Sequence, residues 1–216
     1  METIKVIITG ATGMVGEGVL LHCLGNAQVS EVLMVNRRHY ELTHPKLKEL
    51  LVKDFNRPGD NRDQLRGYDA CFYCAGISSV GMNEADYTEI TYDTTLNFAR
   101  VLLDIQPQMV FNFVTGQATN INGSQMWQRV KGRTEETLRT LGFRGQYNFR
   151  PGFMIPVEDQ KNVRWFFKPI IWVLPYLIPR QTLTLHQVGQ AMIHTVTEGY
   201  GKSILEIADI KTLARS

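Results

Sequence analysis

The sequence has 216 residues, of which 44% are hydrophobic and 20% are charged, and its formal net charge is +2 at pH 7. This composition is typical of a globular protein, and the charge surplus is too small for a dedicated nucleic-acid-binding protein. Three cysteines disfavour a disulfide framework, and the N-terminus METIKVIITG lacks the long apolar core of a secretory signal. No run of about 18 apolar residues is available to span a membrane. We therefore expect a single-domain cytoplasmic protein with reduced cysteines.

Apolar segments rich in β-branched residues alternate with helical patterns along the chain. Strands are predicted over residues 4–10, 31–37, 49–55, 69–76, 108–116, 146–152 and 202–207, and helices near 14–24, 84–105, 124–141 and 185–198. The continuous hydrophobicity of the strands indicates that both of their faces are buried. Strands separated by helices predict βαβ units, so the expected fold is α/β, a doubly wound, mainly parallel, Rossmann-like sheet of about seven strands.

The first strand passes into the first helix through a glycine turn, T-G-A-T-G-M-V-G, at residues 9–16. Gly10 permits the sharp turn, Gly13 lets the backbone approach a pyrophosphate, and Gly16 lets the helix pack tightly. The phosphates would lie on the free N–H groups at the helix N-terminus. The predicted cofactor contacts here are Gly10, Ala11, Thr12, Gly13, Met14 and Val15.

The end of the second predicted strand decides which nucleotide fits. A carboxylate there would bind the adenosine ribose and repel a 2′-phosphate, but this end reads Asn36-Arg37-Arg38, and Glu31 lies at the opposite end of the strand. Because two guanidinium groups favour a phosphate, Arg37 and Arg38 predict NADP rather than NAD. Asp54 and Phe55, at the end of the third predicted strand, would bracket the adenine, or are alternatively a turn-initiating Asp and a core Phe.

The cysteines and histidines do not form a metal motif. Cys71-x-x-Cys74 lies inside a predicted strand, where positions three apart face opposite sides of the sheet. The five histidines (22, 39, 44, 186 and 194) share no ligand spacing, although His186 could line a cleft. We expect no metal site.

Residues 165–179, WFFKPIIWVLPYLIP, interrupt the alternation. Three prolines prevent one long regular helix, because each removes a backbone donor. The segment is interpreted as short helical pieces that cap the sheet beside a substrate cleft, as an exposed patch for a protein or membrane surface, or as a dimer contact.

With Cys74-Ala75-Gly76 and Arg150-Pro151-Gly152 added to the glycine turn and the arginine pair, the chain resembles the atypical short-chain dehydrogenase/reductases, in particular small single-domain members labelled NAD-dependent epimerase/dehydratase-like. The resemblance extends from residue 4 to about residue 207. It implies that Ala75 and Gly76 touch the adenosine ribose, and that Pro151, Gly152 and Phe153 border the nicotinamide.

The catalytic part of the resemblance is incomplete. The superfamily's proton donor is the tyrosine of a Tyr-x-x-x-Lys pair, but the matching stretch here is Trp127-Gln128-Arg129-Val130-Lys131, and the pair occurs nowhere in the sequence. Lys131 is placed to bind the nicotinamide ribose, whereas an indole cannot act as a general acid near neutral pH. Thr115 stands where the family's helper serine would be. Trp127 is interpreted as a packing residue or as a wall of the nicotinamide pocket.

The larger epimerases carry a C-terminal substrate domain, whereas here only a short substrate-side extension follows from about residue 153. The leading hypothesis is an NADP(H)-binding oxidoreductase that reduces a quinone, a flavin or another small acceptor without a protein acid. The alternatives are a catalytically silent NADP(H)-sensing regulatory protein, and an ordinary carbonyl reductase or epimerase with His186 or Tyr147 as the substitute acid. The expected partner is a small-molecule substrate or electron acceptor; the oligomeric state stays open.

Overall fold

Seven parallel strands form the centre of the computed structural model, which describes residues 3–55, 57–162 and 178–215. The sheet has the order β3-β2-β1-β4-β5-β6-β9, and a separate pair, β7-β8, is also parallel. The strands are β1 (Ile4–Thr9), β2 (Val29–Asn36), β3 (Leu47–Leu51), β4 (Ala70–Tyr73), β5 (Val110–Val114), β6 (Gly145–Phe149), β7 (Phe153–Ile155), β8 (Thr182–Thr184) and β9 (Ile204–Leu205).

Helices cover both faces of the seven-stranded sheet. They are α1 (Met14–Gly25), α2 (Glu84–Thr88), α3 (Thr94–Ile105), α4 (Met126–Arg139), α5 (Leu185–Thr197) and α6 (Ile207–Leu213), with a π-helical turn at Glu89–Asp93 and 3-10 turns at Pro58–Leu65 and Pro179–Gln181. The first strand shows how the two cores arise. Val6 and Ile8 pack toward α1 and α5, whereas Ile7 packs toward α3 and α4, because successive side chains of a strand point to opposite faces.

The predicted fold class is confirmed: the chain is a single Rossmann-like α/β domain with a parallel seven-stranded sheet. The strand boundaries were too generous at their carboxyl ends. The third strand stops at Leu51 rather than residue 55, and the last strand is only Ile204–Leu205. The predicted helix 84–105 is broken by the π-helical turn, and the sequence analysis missed β7, β8 and α6.

Two further sequence predictions concern the apolar segment 165–179 and membrane-spanning helices. The apolar segment 165–179 falls outside the described residues except for residues 178 and 179, so its three interpretations stay predictions. No helix in the described part of the chain combines the length and the apolar character that crossing a bilayer requires.

Candidate functional site

The glycine turn between β1 and α1 has almost no room for side chains. Gly10 has a φ of +72°, and a Cβ there would lie 2.7 Å from the backbone N of Ala75. A Cβ on Gly16 would lie 2.2 Å from the carbonyl oxygen of Gly10, so α1 packs against the turn itself. The N–H of Gly13 closes the turn by donating to the Gly10 carbonyl oxygen at 2.9 Å.

The N-terminus of α1 is open to an anion. Gly13 is its N-cap residue and supplies no side-chain hydrogen bond. The first N–H groups of a helix have no acceptor within the helix, and its dipole places partial positive charge at this end. The geometry is therefore suited to an anion such as a phosphate group.

A cleft of about 740 Å³ opens beside this turn, at the carboxyl ends of the strands. Ligands of open α/β sheets bind at this edge. Nine of the predicted cofactor residues line the cleft: Gly10, Thr12, Gly13, Arg37, Arg38, Asp54, Phe55, Ala75 and Gly76. The other predicted contacts, Ala11, Met14, Val15, Lys131, Pro151, Gly152 and Phe153, are not among its lining residues.

The cleft has an arginine-rich wall at the end of β2. Arg37 and Arg38 are both exposed, and neither forms an ion pair with any residue that the structure describes. Lys53 lines the same wall. Glu31, in contrast, lies away from the cleft, where it accepts from the Tyr68 hydroxyl at 2.8 Å and pairs with Lys48. Lys48 lowers the pKa of this carboxyl group, so Glu31 stays ionised but has no access to a nucleotide.

Two side-chain amides in the cleft carry buried polar atoms without partners. Asn36 is only 2% exposed, and neither its amide nitrogen nor its amide oxygen is hydrogen-bonded within the described residues. The same holds for the amide nitrogen of Asn162. Because an unsatisfied buried polar group is costly, these atoms fit a site built for a polar ligand. Asn36 stands next to Arg37 in the sequence, whereas no local pattern could have indicated Asn162.

Asp54 and Phe55 lie in the loop after β3 rather than at its end, because that strand stops at Leu51. The Asp54 carboxylate is 3.9 Å from the guanidinium of Arg57. The Phe55 ring stacks on Phe98 with centroids 5.6 Å apart, so it both lines the cleft and joins the core. The two interpretations of Phe55 are therefore compatible.

Two of the predicted catalytic residues, Thr115 and Lys131, lie at a buried charge network that the sequence analysis missed. Glu135 is 3% exposed and accepts from the Thr115 hydroxyl at 2.6 Å and from the guanidinium of Arg150. The ammonium group of Lys131 donates to the carbonyl oxygen of Thr115 at 3.1 Å. Burial lowers the pKa of Lys131, while Glu135 acts in the opposite direction. The Thr115 hydroxyl thus turns toward Glu135, and orienting a substrate carbonyl would require this bond to break.

Trp127 lies half-buried at the start of α4, one helical turn before Lys131, and its indole N–H donates to the Gln125 side chain. Pro151 and Gly152 lead into β7, and a Cβ on Gly152 would lie 2.6 Å from the Gln181 carbonyl oxygen. Phe153, the first residue of β7, is 51% exposed. The structure thus places nine predicted cofactor residues along the cleft, and Thr115, Lys131 and Trp127 outside its lining.

Tyr147 and His186, the two substitute acids considered from the sequence, both lie outside the lining of the cleft. The Tyr147 hydroxyl accepts the backbone N–H of Tyr200 at 3.0 Å. His186 lines a second cavity of about 390 Å³ between α1 and α5, where its ring lies against His22 with centroids 4.2 Å apart. Neither residue lines the cleft, so a role as substitute acid stays a prediction for both.

Cys71 and Cys74 face opposite sides of the sheet, as their spacing predicts: Cys71 packs toward α3 and Cys74 toward α1. Cys74 is not simply a core residue, because it lines the cleft. Burial raises the pKa of its thiol to about 12, so it is protonated at neutral pH. Within the described residues, no group of three or more His, Cys, Asp or Glu side chains could hold a metal ion.

Comparison with known proteins places this geometry in a family. The model of the NAD dependent epimerase/dehydratase family matches residues 6–141. The rat protein HTATIP2 is 25% identical over 99% of this chain and 89% of its own length. The Aspergillus niger protein fmp52, mitochondrial, is 27% identical over 73% of this chain and 69% of its own length.

Solved structures agree in fold. A short chain dehydrogenase from Burkholderia cenocepacia in complex with NADP has a TM-score of 0.69 and 14% identity, and the match covers 99% of this chain and 92% of that one. The Bordetella bronchiseptica enzyme WbmF in complex with NAD+ has a TM-score of 0.67 and 17% identity, covering 99% and 77%. These two neighbours carry different nicotinamide dinucleotides.

Proposed function

Because the chain belongs to the NAD dependent epimerase/dehydratase family, we propose that it is an NADP(H)-binding oxidoreductase that reduces a small conjugated acceptor such as a quinone or a flavin. The observation that supports a preference for NADP is the arginine-rich wall of the cleft at the end of β2. Two exposed guanidinium groups without ion-pair partners among the described residues follow a buried neutral amide, Asn36. An amide does not repel a 2′-phosphate as a carboxylate would, and guanidinium groups bind phosphate in a bidentate manner.

The remaining parts of the nucleotide have matching groups. The open N-terminus of α1 would hold the pyrophosphate, and Asp54 and Phe55 would contact the adenine. Ala75 and Gly76 would lie along the adenosine ribose. Lys131 would hold the nicotinamide ribose, with Pro151, Gly152 and Phe153 beside the ring. Ala11, Met14 and Val15 belong to the same proposal, as backbone groups of the turn.

The choice of acceptor follows from the missing tyrosine. A bound NADPH supplies a hydride, and the protein must hold the acceptor near it. The indole of Trp127 cannot donate a proton near neutral pH, and the Thr115 hydroxyl already donates to Glu135. A quinone or a flavin can accept hydride without a protein acid, and water can supply the proton. We assign Trp127 as a flat wall of this part of the site.

The NADP preference is tested with Arg37→Ala. Loss of a charge-assisted hydrogen bond should weaken NADPH binding by about 1–3 kcal/mol and leave NADH binding nearly unchanged. Isothermal titration calorimetry of the wild type and the variant with both nucleotides measures this. Arg139→Ala is the matched control, because Arg139 pairs with Glu136 on the surface of α4. Equal weakening of NADPH and NADH would contradict the assignment of Arg37.

A second candidate function is a catalytically silent NADP(H) sensor. It is favoured by the combination of a complete glycine turn with Trp127 in place of the tyrosine. Turnover separates the two candidates: an oxidoreductase should oxidise NADPH in the presence of benzoquinones, naphthoquinones or free flavin, at a rate proportional to protein concentration. Tight NADPH binding without turnover across such a panel would favour the sensor.

We also propose a domain organisation, a type of binding partner and a cellular location for this chain. The residues from about 153 form a short substrate-side extension of the single nucleotide-binding domain. The partner is a small molecule rather than a nucleic acid, and segment 165–179 is the candidate for a protein or peripheral membrane contact. We propose a cytoplasmic location; cell fractionation tests it against the mitochondrial location given in the name of the fungal relative.

A further inference from the structure

Glu17 is a fully buried carboxylate in the first turns of α1. No Lys, Arg or His among the described residues forms an ion pair with it. It is stabilised by neutral donors: the backbone N–H groups of Lys161 and Asn162, each at 2.8 Å, and the hydroxyl of Tyr40. A buried charge is tolerated when several hydrogen bonds reach it, and bonds to a charged acceptor are stronger than neutral ones.

These bonds join three segments that surround the nucleotide cleft. Glu17 belongs to the helix after the glycine turn, and Tyr40 lies in the loop after β2. Lys161 and Asn162 belong to the chain that follows β7. Gln160 adds a further connection, because its amide nitrogen donates to the carbonyl oxygen of Met14 at 2.7 Å. The carboxylate therefore fixes the backbone of residues 161–162 against the first turns of α1.

The consequence of this fixation is the position of the Asn162 side chain. Asn162 and Tyr40 both line the cleft of about 740 Å³, as does Thr12 of the glycine turn. The Asn162 amide nitrogen is buried there and has no hydrogen-bond partner within the described residues. An amide N–H₂ group is a donor, so only an acceptor can satisfy it. An acceptor-rich ligand, such as a diphosphate or a ribose, would do so.

We infer that Asn162 contacts the adenosine-diphosphate part of the bound nucleotide, and that Glu17 is the positioning residue that holds it there. This inference rests on the proposed NADP(H) binding and deepens it. It gives the chain after β7 a role in cofactor affinity, in addition to any role in substrate binding. Asn162 donates to a phosphate or ribose oxygen, while Glu17 acts only through the backbone of residues 161–162.

The test uses the full chain and three probes: NADPH, 2′,5′-ADP and reduced nicotinamide mononucleotide. Asn162→Ala should weaken NADPH and 2′,5′-ADP by about five- to tenfold, as expected for one lost hydrogen bond, and leave the mononucleotide unchanged. Asn162→Asp should weaken the first two further, because a carboxylate would face phosphate groups. Asn122→Ala, an exposed amide outside the cleft, is the matched control.

Glu17→Gln tests the positioning role. It should weaken NADPH severalfold, and adding Asn162→Ala to it should cost less than Asn162→Ala costs in the wild type, because the two residues act through one contact. A merely structural role for Glu17 would make the two effects additive. Unchanged NADPH affinity in Asn162→Ala, with a wild type that binds NADPH, would overturn this inference alone. A wild type that binds none of the probes would overturn the proposed function and this inference together.

Discussion

Gly16 is the position at which one added methyl group should cause the most damage to the nucleotide site. A Cβ there would meet the Gly10 carbonyl oxygen at 2.2 Å, and no rotamer change can move either a Cβ or a backbone oxygen. Relief requires α1 to shift away from the turn. The same shift would misplace the N–H groups that are proposed to hold the pyrophosphate.

We therefore expect Gly16→Ala to lower the free energy of unfolding by about 1–3 kcal/mol. Gly25→Ala is the matched control, since Gly25 ends the same helix and a Cβ there would meet nothing within 4 Å. The control should be neutral or slightly stabilising, because Ala is the better helix former. Urea denaturation of both variants measures the difference, and equal stabilities would contradict the steric argument.

At the scale of single residues, the sequence predicts those features that depend on neighbouring residues in the chain. The spacing of the glycine turn is sufficient to predict that Gly10 and Gly16 are close-contact positions. The exposure of Arg37 and Arg38 follows from their position after the end of a strand. The direction of the Thr115 hydroxyl could not be predicted from the sequence, because Glu135 and its partner Arg150 come from α4 and from the end of β6. The backbone N–H of Asn162 is bonded to Glu17, which is far away in the sequence.

At the scale of elements, α1 and α5 pack through a polar and aromatic contact that responds to pH. His22 of α1 lies edge-to-face against His186 of α5 and is hydrogen-bonded to Gln190 at 3.1 Å. Burial, together with repulsion from His186 and His194, lowers the pKa of His22 from 6.5 to about 4. Glu158 lines the same cavity. At neutral pH the His22 ring is therefore uncharged, as the contact requires.

The unfolded chain binds a proton at His22 between about pH 6.5 and pH 4, whereas the folded chain does not. The contribution of His22 to stability is thus complete above pH 6.5 and falls as the pH is lowered toward 4. We expect a loss of about 1–3 kcal/mol over this window, reduced by the partial exposure of the ring. Denaturation curves at several pH values measure it.

His22→Gln should flatten this pH dependence, because glutamine keeps a hydrogen-bonding group but does not titrate. His44→Gln is the control, since His44 lies in the loop before β3 and does not line the cavity between α1 and α5. A wild-type stability that changes no more between pH 6.5 and pH 4 than that of His22→Gln would rule out His22 as the source.

Element boundaries depended on contacts that the sequence does not display. The helical pattern of residues 84–105 is continuous, yet the π-helical turn at Glu89–Asp93 interrupts it and brings Ile90 into the cleft. Such turns insert one extra residue and are frequent at functional sites. The pair β7-β8 is too short for a periodic signal, because each of its strands has three residues.

At the scale of the whole molecule, the order of elements was sufficient to predict the fold. Alternating strands and helices with short connections allow few arrangements, since βαβ crossovers are right-handed and strands next to each other in sequence tend to pair. The two cores on either side of the sheet follow from strands that are apolar on both faces. The chemistry of the molecule was less predictable, because the residues around Lys131 depart from the family pattern at the proton donor.

The parallel pairing of β7 with β8 limits how this part of the molecule can evolve. Antiparallel strands can be joined by a two-residue turn, but parallel strands need a crossover of about a dozen residues or more. The connection between Ile155 and Thr182 therefore cannot shrink to a hairpin without destroying the pair. Sequence added to a connection costs little by comparison, since the entropy of closing a loop grows only slowly with its length. Natural selection or a protein engineer can thus insert new sequence between these two anchor points and leave the seven-stranded sheet untouched.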